Sequence, residues 1–256
     1  MKYLAIGSGA MGIYSFLGYI YKIKDQLHEV EEISGASAGA MIGLLLSMEK
    51  DINEINRFIF NIDFKKYYKF SMKNFIKKYG FINLSSVKEE IIEFLGANPK
   101  FKDLKKKLIV AVFNISYSKT EYLSVDTHPE MRVLDAVTAS MSIPFIFTSK
   151  KINSSYYIDG GIFERIPLGP FLGKSKEDVI AIQLDVSFYK EPKITNFKDY
   201  LFLIYFNFIT KSCLSYDKQL FNIVDLQRDE NISLLDFKMN EETKMKLFFF
   251  GFNSTL

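Results

Sequence analysis

Two glycine-rich turns near the start of the chain constrain its fold more than any other feature. The first, GSGAMG at residues 7–12, follows the apolar run KYLAI and precedes a stretch that predicts a helix over residues 12–24. The second, GASAG at residues 35–39, follows a predicted strand at 30–34 and precedes another helical run. A strand, a glycine turn and a helix thus occur twice in succession, which is typical of a parallel α/β sheet.

The rest of the chain continues this alternation. Helical patterns follow at 51–78, 85–96, 132–142, 196–212 and 241–250, and strand patterns at 107–115, 154–161 and 178–187. In the pattern at 85–96, a serine is the candidate N-cap and Gly96 the end of the helix. No repeat, low-complexity linker or change of composition marks a domain boundary. We therefore expect a single α/β domain over residues 1–256, with a motif-bearing core at about 1–170 and a mostly parallel central sheet flanked by helices.

The pattern G-x-G-x-x-G formed by Gly7, Gly9 and Gly12 is compatible with two functions. It can hold a dinucleotide pyrophosphate at a helix N-terminus, or it can present backbone N–H groups to the oxyanion of an acyl transfer. A dinucleotide site needs an acidic residue at the carboxyl end of the second strand. Glu31 and Glu32 have the right spacing but lie at the start of that strand. The oxyanion interpretation is therefore favoured, and dinucleotide binding stays open as an alternative.

The pentapeptide around Ser37 has the pattern G-x-S-x-G, with glycines at Gly35 and Gly39. Between a strand and a helix, this pattern is the signature of a nucleophile elbow, in which the serine hydroxyl projects from a sharp turn. The N-terminus of the following helix favours a negatively charged intermediate. A small-residue turn that only lets a helix pack close to a strand is the other interpretation, but the strand–turn–helix context favours a catalytic serine.

A nucleophilic serine needs a base, and the chain has only two histidines, His28 and His128. In α/β-hydrolases the histidine follows the acid near the end of the chain, and no histidine here fits that order. Asp159 offers a carboxylate at the end of an apolar strand, followed by Gly160 and Gly161. Such a carboxylate can accept the serine proton directly. An ordinary Asp-Gly turn is the alternative.

The motifs GSGAMG, GASAG and DGG, in this order and at this spacing, resemble those of the patatin-like phospholipases. The segments FKDLKKKLIVAVFNIS, TASMSIPFIF, DGGIFERIP and LLDFKMNEETKMKLFFFGF extend the resemblance to nearly the whole chain. It implies a three-layer patatin-like α/β fold and a catalytic dyad without histidine, with Ser37 as nucleophile and Asp159 as general base. It also implies an oxyanion hole built from the backbone N–H groups of Gly7, Ser8, Gly9, Ala10 and Ala38.

The same resemblance implies a serine lipid acyl hydrolase of the phospholipase A or lysophospholipase type. Such an enzyme cleaves fatty-acyl esters through an acyl-enzyme, without calcium or any other cofactor. The sequence has no EF-hand-like acidic loop and no His/Cys cluster with metal-ligand spacing. Two positions depart from the family pattern: Met11 replaces a common Arg or Lys, and Arg165 replaces a common Asn. A catalytically weak lipid-binding relative is therefore a second alternative.

Composition narrows the partners and the compartment. The 33 basic and 30 acidic residues nearly balance, which argues against nucleic acid. The single cysteine, Cys213, suits a reducing compartment, and the apolar runs are too short for a signal peptide or a membrane span. We therefore expect a cytoplasmic protein that is peripheral at membranes. Nothing in the sequence indicates the oligomeric state.

The segment 64–81 mixes lysines with aromatic residues. Lysines attract anionic headgroups, while aromatic rings favour the boundary between water and lipid. This pattern predicts a transient contact with a membrane surface that carries the lipid substrate. A solvated helical face over the core is the other interpretation.

Overall fold

A computed structural model of the chain describes residues 1–67, 69–185, 200, 203–204, 207, 213–214, 216–227, 229 and 232–256. The strands are β1 Tyr3–Ile6, β2 Glu32–Ala36, β3 Gly80–Ile82, β4 Lys107–Asn114, β5 Lys119–Leu123, β6 Phe145–Phe147, β7 Lys150–Ile152, β8 Ser155–Asp159, β9 Val179–Leu184 and β10 Asn222–Leu226. The α-helices are α1 Ile13–Lys22, α2 Ala38–Ser47, α3 Ile52–Asn61, α4 Phe64–Tyr67, α5 Met72–Lys78, α6 Ser85–Leu95, α7 Val133–Ser140 and α8 Glu241–Asn253.

Within the described residues, eight strands form the central sheet in the order β10-β9-β1-β2-β4-β8-β7, with β5 also paired to β4. The strands from β10 to β4 run parallel to one another. Strands β5 and β8 run antiparallel to β4, and β7 runs antiparallel to β8. Strands β3 and β6 form a separate parallel pair. The predicted mixed α/β fold with a mostly parallel central sheet is confirmed.

The apolar alternation of β1 shows how the sheet is buried on both faces. Leu4 and Ile6 belong to the larger core, which also contains side chains of α1, α2, α6 and α7. Ala5 points to a smaller core, where it packs with Leu168 and Phe171 from the chain that follows β8. Helices α1 and α8 cross closely at Gly18: a Cβ on this residue would lie only 1.9 Å from the carbonyl oxygen of Phe248.

Most of the predicted elements are present, with shifted ends. The helical pattern at 51–78 divides into α3, α4 and α5, and the pattern at 85–96 forms α6, which ends at Gly96 with φ +70°. The serine expected to cap α6 does not do so, since Leu84 occupies the N-cap position without a side-chain bond. The helix predicted at 196–212 lies outside the continuously described residues. No helix in the described part of the chain is both long and apolar enough to cross a membrane.

Candidate active site

Ser37 lies at the sharp turn between β2 and α2. Its backbone has φ +55° and ψ −120°, a left-handed conformation that a non-glycine residue keeps only when its surroundings enforce it. The two flanking glycines allow the turn to pack tightly. A Cβ on Gly39 would lie 2.2 Å from the carbonyl oxygen of Ile6, and one on Gly35 would lie 2.6 Å from that of Gly39. The strained turn and its two obligatory glycines are the geometry that a nucleophile elbow requires.

Ser140, a residue that sequence reasoning did not identify, holds this turn in place. The backbone N–H of Ser37 donates a hydrogen bond to Ser140 Oγ over 2.8 Å. Ser140 Oγ in turn donates to the carbonyl oxygen of Ala111 over 2.6 Å. A polar residue within the apolar pattern of α7 was the only sequence signal for this role, and it is a weak one.

Asp159 is the last residue of β8 and pairs with Val112 of β4. Since β4 lies between β2 and β8, the sheet brings Asp159 close to the turn after β2. The Ser37 side chain lies close enough to the Asp159 carboxylate to lower its pKa. The N–H of Gly161 donates to Asp159 Oδ1 over 2.8 Å. Both Ser37 and Asp159 are almost fully buried, with 4% and 3% of their surface exposed.

The two glycines after Asp159 are required by close packing. A Cβ on Gly160 would lie 2.1 Å from the carbonyl oxygen of Ala111, and one on Gly161 would lie 2.3 Å from Ser8 Oγ. The DGG turn therefore contacts both β4 and the first glycine motif. All three sequence motifs come together at one edge of the sheet.

Burial has a strong effect on the Asp159 carboxyl. It raises the pKa of Asp159 from 3.8 to about 7, because the charged form loses its hydration. The hydrogen bonds with Ser37 and with the Gly161 N–H act in the opposite direction and lower the pKa. A carboxylate with a pKa near neutrality is well suited to take and return a proton at physiological pH.

The first glycine motif supplies fewer free N–H groups than the sequence predicts. The N–H of Gly7 donates to the carbonyl oxygen of Ile182 over 2.9 Å, and the N–H of Ser8 donates to that of Arg165 over 2.8 Å. The N–H of Gly12 is likewise bonded, to the carbonyl oxygen of Gly9. In this conformation, Gly7, Ser8 and Gly12 therefore shape the loop and do not have N–H groups available for an oxyanion.

Three N–H groups of the predicted set remain available. Those of Gly9 and Ala10 in the loop, and that of Ala38 at the start of α2, donate to no acceptor within the described residues. Ala10 has φ +44°, a left-handed conformation that the loop imposes on a non-glycine residue. An oxyanion hole, if it forms here, has these three donors.

Close packing against apolar side chains explains the glycines of the first motif without a bound dinucleotide. A Cβ on Gly9 would lie 2.7 Å from both Leu184 Cδ1 and Phe16 Cε2, and one on Gly12 would lie 2.3 Å from Leu184 Cδ1. These glycines accommodate apolar side chains of β9 and α1. This packing removes the reason for assigning them to a pyrophosphate.

An apolar cleft opens beside Ser37 and is partly open to solvent. Its lining is almost entirely hydrophobic: Ala10, Met11, Ile13, Ser37, Ala38, Met41, Phe64, Tyr67, Ile82, Asn83, Leu84, Val87, Met141, Ile143, Phe147 and Phe237. Sequence reasoning identified few of these residues, because they come from many separate elements. Such a cleft suits an alkyl chain that leads to the serine hydroxyl.

The two departures from the family pattern have different structural consequences. Met11 is buried and forms part of the cleft wall, so that it adds apolar surface where a basic residue would add charge. Arg165 acts through its backbone: its carbonyl accepts the Ser8 N–H, and its own N–H donates to Cys213 Sγ over 2.9 Å. Neither departure displaces Ser37 or Asp159.

Glu164, which sequence reasoning also missed, anchors the segment after the DGG turn. This fully buried carboxylate accepts hydrogen bonds from the hydroxyl groups of Tyr122 and Tyr216, both at 2.5 Å, and from the N–H of Gly169 at 3.0 Å. These bonds fix the backbone next to Arg165, whose carbonyl supports the first glycine motif. The only sequence signal for the role of Glu164 was its position three residues after Gly161.

Neither histidine belongs to the site. His28 lies before β2, and its Nδ1–H donates to the carbonyl oxygen of Asp25; His128 is absent from the cleft lining. Among the described residues, no group of three or more His, Cys, Asp or Glu side chains is arranged to hold a metal ion.

Comparison with known proteins identifies the family to which this chain belongs. The family model for the patatin-like phospholipases matches residues 4–172. The chain therefore belongs to the patatin-like phospholipases, a family of lipid hydrolases.

Two viral relatives and one solved structure are similar over much of the chain. The probable lipid hydrolase 463L of Invertebrate iridescent virus 6 is 30% identical over 74% of this chain and 72% of that protein. The uncharacterized protein R571 of Acanthamoeba polyphaga mimivirus is 26% identical over 99% of this chain and 92% of that protein. The crystal structure of VipD from Legionella pneumophila has a TM-score of 0.65 at 16% identity, covering 98% of this chain and 65% of that one.

Proposed function

We propose that this protein is a calcium-independent lipid acyl hydrolase, of the phospholipase A or lysophospholipase type, that works through a Ser37–Asp159 dyad. The observation that carries the proposal is the close approach of the two buried side chains, Ser37 and Asp159, beside an apolar cleft that Ser37 lines. A serine hydroxyl alone is a weak nucleophile, and a carboxylate in direct contact with it can remove its proton.

The reaction follows from this arrangement. Asp159 takes the proton of the Ser37 hydroxyl as Ser37 Oγ attacks the ester carbonyl carbon, with the acyl chain in the cleft. The N–H groups of Gly9, Ala10 and Ala38 stabilise the negative charge that develops on the carbonyl oxygen. Asp159 then protonates the leaving alcohol, and an acyl-enzyme remains. In the second half, Asp159 takes a proton from a water molecule as its oxygen attacks the acyl carbon. Asp159 then returns this proton to Ser37 Oγ as the bond to the acyl group breaks, so that the fatty acid is released and Ser37 is restored.

The substrate class follows from the cleft and the family. We propose a phospholipid or related acyl-ester lipid, reached by transient contact with a membrane surface from the cytoplasmic side. A dinucleotide-binding function has little support, because Leu184 and Phe16 fill the space beside Gly9 and Gly12.

A fluorophosphonate probe tests the dyad directly. The wild-type protein is treated in the presence of a chelator, the modified residue is mapped, and fatty-acid release from phospholipid vesicles is measured in parallel. We expect modification at Ser37 and loss of both signals in Ser37→Ala. Asp159→Asn should lose most of the labelling at Ser37 and most of the fatty-acid release. The exposed Ser154→Ala and Asp25→Asn serve as matched controls and should behave like the wild type.

Two results would argue against the proposal. A folded wild type that is neither labelled nor active on vesicles, yet co-sediments with them, would be a lipid-binding relative without turnover. Modification at a serine other than Ser37 would place the nucleophile elsewhere.

A further inference from the structure

The segment between α4 and β3 exposes large apolar side chains beside the cleft. Phe70, Met72, Ile76 and Tyr79 are 65%, 63%, 71% and 54% exposed. Met72 and Ile76 are one helical turn apart on α5, so their side chains share a face. Contiguous exposed apolar groups of this size mark a surface that contacts another apolar phase.

The same surface is rich in positive charge. Residues 64–81 contain six lysines and no Asp or Glu. Lys69, Lys73, Lys77 and Lys78 are exposed, and none of them forms an ion pair with any carboxylate in the described residues. Their charge is therefore available to an external anionic partner. We call these four lysines, together with Phe70, Met72, Ile76 and Tyr79, the basic rim.

The inner side of the basic rim is firmly attached to the fold. Phe75 stacks on Phe81 with ring centroids 4.3 Å apart, and Phe70 also contacts the Phe81 ring, at 4.7 Å. Strand β3 carries Phe81 and pairs with β6, where Gly80 lies opposite Phe145. These contacts hold the rim against β3, and Met72 and Ile76 remain exposed in the folded chain.

Phe145 extends the rim from the neighbouring strand. It is 57% exposed and has φ +66°, a conformation that is unfavourable for a bulky residue. Strained backbone of this kind persists only where the surrounding structure enforces it, and it occurs preferentially at functional sites.

Residues that line the cleft flank the rim in the chain. Phe64 and Tyr67 line the cleft just before the rim in the chain, and Ile82 lines it just after. Phe147, at the far end of the strand that carries Phe145, lines it as well. A flat partner that covers the rim would therefore lie next to elements that line the cleft containing Ser37.

We propose that the basic rim docks the protein on an anionic phospholipid bilayer. The lysines meet the headgroup phosphates and carboxylates, while Met72, Ile76 and the aromatic rings enter the boundary with the acyl chains. An acidic protein would match the lysines but not the exposed apolar side chains between them. The inference rests on the proposed function for the choice of a lipid partner, and it assigns the surface and the headgroup charge.

Vesicle co-sedimentation of the Ser37→Ala protein tests this docking without interference from turnover. Vesicles of phosphatidylcholine alone are compared with vesicles that also contain phosphatidylserine. We expect at least tenfold tighter binding to the anionic vesicles, with the difference reduced at high salt because the charges are screened. Equal binding to both vesicles would overturn the proposal.

Two double variants separate the contributions of charge and apolar contact. Lys73→Glu/Lys77→Glu should weaken binding to anionic vesicles at least tenfold, and Met72→Ser/Ile76→Ser should weaken it similarly. The matched controls are Lys24→Glu/Lys105→Glu and Met245→Ser/Phe249→Ser, which change exposed side chains elsewhere. Thermal unfolding verifies that each variant folds. Binding that falls equally in rim and control variants would refute the assignment.

Further measurements distinguish other occupants of the rim and a failure of the proposed function. A dimer in size-exclusion chromatography that dissociates in Met72→Ser/Ile76→Ser would show that a second copy covers the rim, and would overturn the bilayer proposal. With Ser37 intact, the rim variants should keep wild-type turnover of a short soluble ester and lose turnover on anionic vesicles. Rim-dependent vesicle binding in a protein that hydrolyses no ester would support the docking surface and contradict only the proposed function.

Discussion

Replacing Asp159 by asparagine should make the protein more stable at alkaline pH while removing its activity. The physical reason is the cost of holding a charged carboxylate in a buried site. Burial raises the pKa of Asp159 from 3.8 to about 7, so the folded chain takes up this proton more readily than the unfolded chain does. Asparagine has nearly the same shape, can still accept bonds from Ser37 and Gly161 through its carbonyl oxygen, and carries no charge.

The magnitude follows from the two pKa values. Below 3.8 the carboxyl is protonated in both states and contributes no difference. Between 3.8 and about 7 the folded state binds more protons, so stability falls as the pH rises, and above about 7 the full cost is present. At about 1.4 kcal/mol for each pH unit, this cost is about 4 kcal/mol. The asparagine amide must also find a partner for its N–H₂ group, so about 4 kcal/mol is an upper bound on the gain.

Urea denaturation followed by circular dichroism, at several values between about pH 4 and pH 9, measures this difference. The free energy of unfolding of Asp159→Asn minus that of the wild type should be smallest near pH 4 and grow up to about pH 8. The exposed Ser154→Ala, which removes no titratable group, is the control and should show no such trend. Ser37→Ala removes a hydrogen bond that lowers the pKa of Asp159, and it should therefore move the pH dependence to higher values.

The rate of ester hydrolysis offers an independent measurement of the same pKa. Since the ionised carboxylate is the base, kcat/KM should fall about tenfold for each pH unit below about 7. A stability difference that does not change with pH, together with full activity at pH 5, would refute the reasoning. It would mean that Asp159 is ionised in the folded protein with an ordinary pKa.

Three further changes probe the support of the site. Ser140→Ala leaves the buried N–H of Ser37 without an acceptor and should reduce stability by about 1–3 kcal/mol. In a kinetic assay it should lower kcat more than it raises KM. Ser140→Thr, which keeps the hydroxyl, should retain more activity in the same assay. Gly160→Ala forces a Cβ against the Ala111 carbonyl oxygen and should lower the free energy of unfolding by at least about 3 kcal/mol. Gly96→Ala, in open space at φ +70°, should lower it by only about 1 kcal/mol. Urea denaturation compares the two variants, and equal losses would contradict the packing argument. Val87→Phe fills part of the cleft and should shift the preference in a nitrophenyl ester series towards shorter chains, and an unchanged chain-length profile would show that acyl chains bind elsewhere.

Local sequence patterns determined the secondary structure and the motifs with good accuracy. The strand–glycine–helix repeats around Gly7 and Gly35 and the apolar strand before Asp159 depend on neighbours in the chain, and β1, β2, α2 and β8 form close to the predicted positions. The N-cap of α6 was predicted wrongly, because the preceding turn is stabilised by Asn83, whose side chain accepts the Ser85 N–H. The single-domain organisation stays a prediction.

The sequence by itself also determined which residue types were available for chemistry, namely a serine in a glycine turn, a carboxylate before two glycines, and no histidine in a suitable place. Only the tertiary structure decided how they act. Sheet order brings Asp159 to Ser37, and burial by distant elements changes the pKa of Asp159. Acceptors on β9 and on the segment after β8 occupy the N–H groups of Gly7 and Ser8, which leaves Gly9 and Ala10 available. These properties depend on contacts between residues far apart in the chain, and a pattern of adjacent residues carries no information about them.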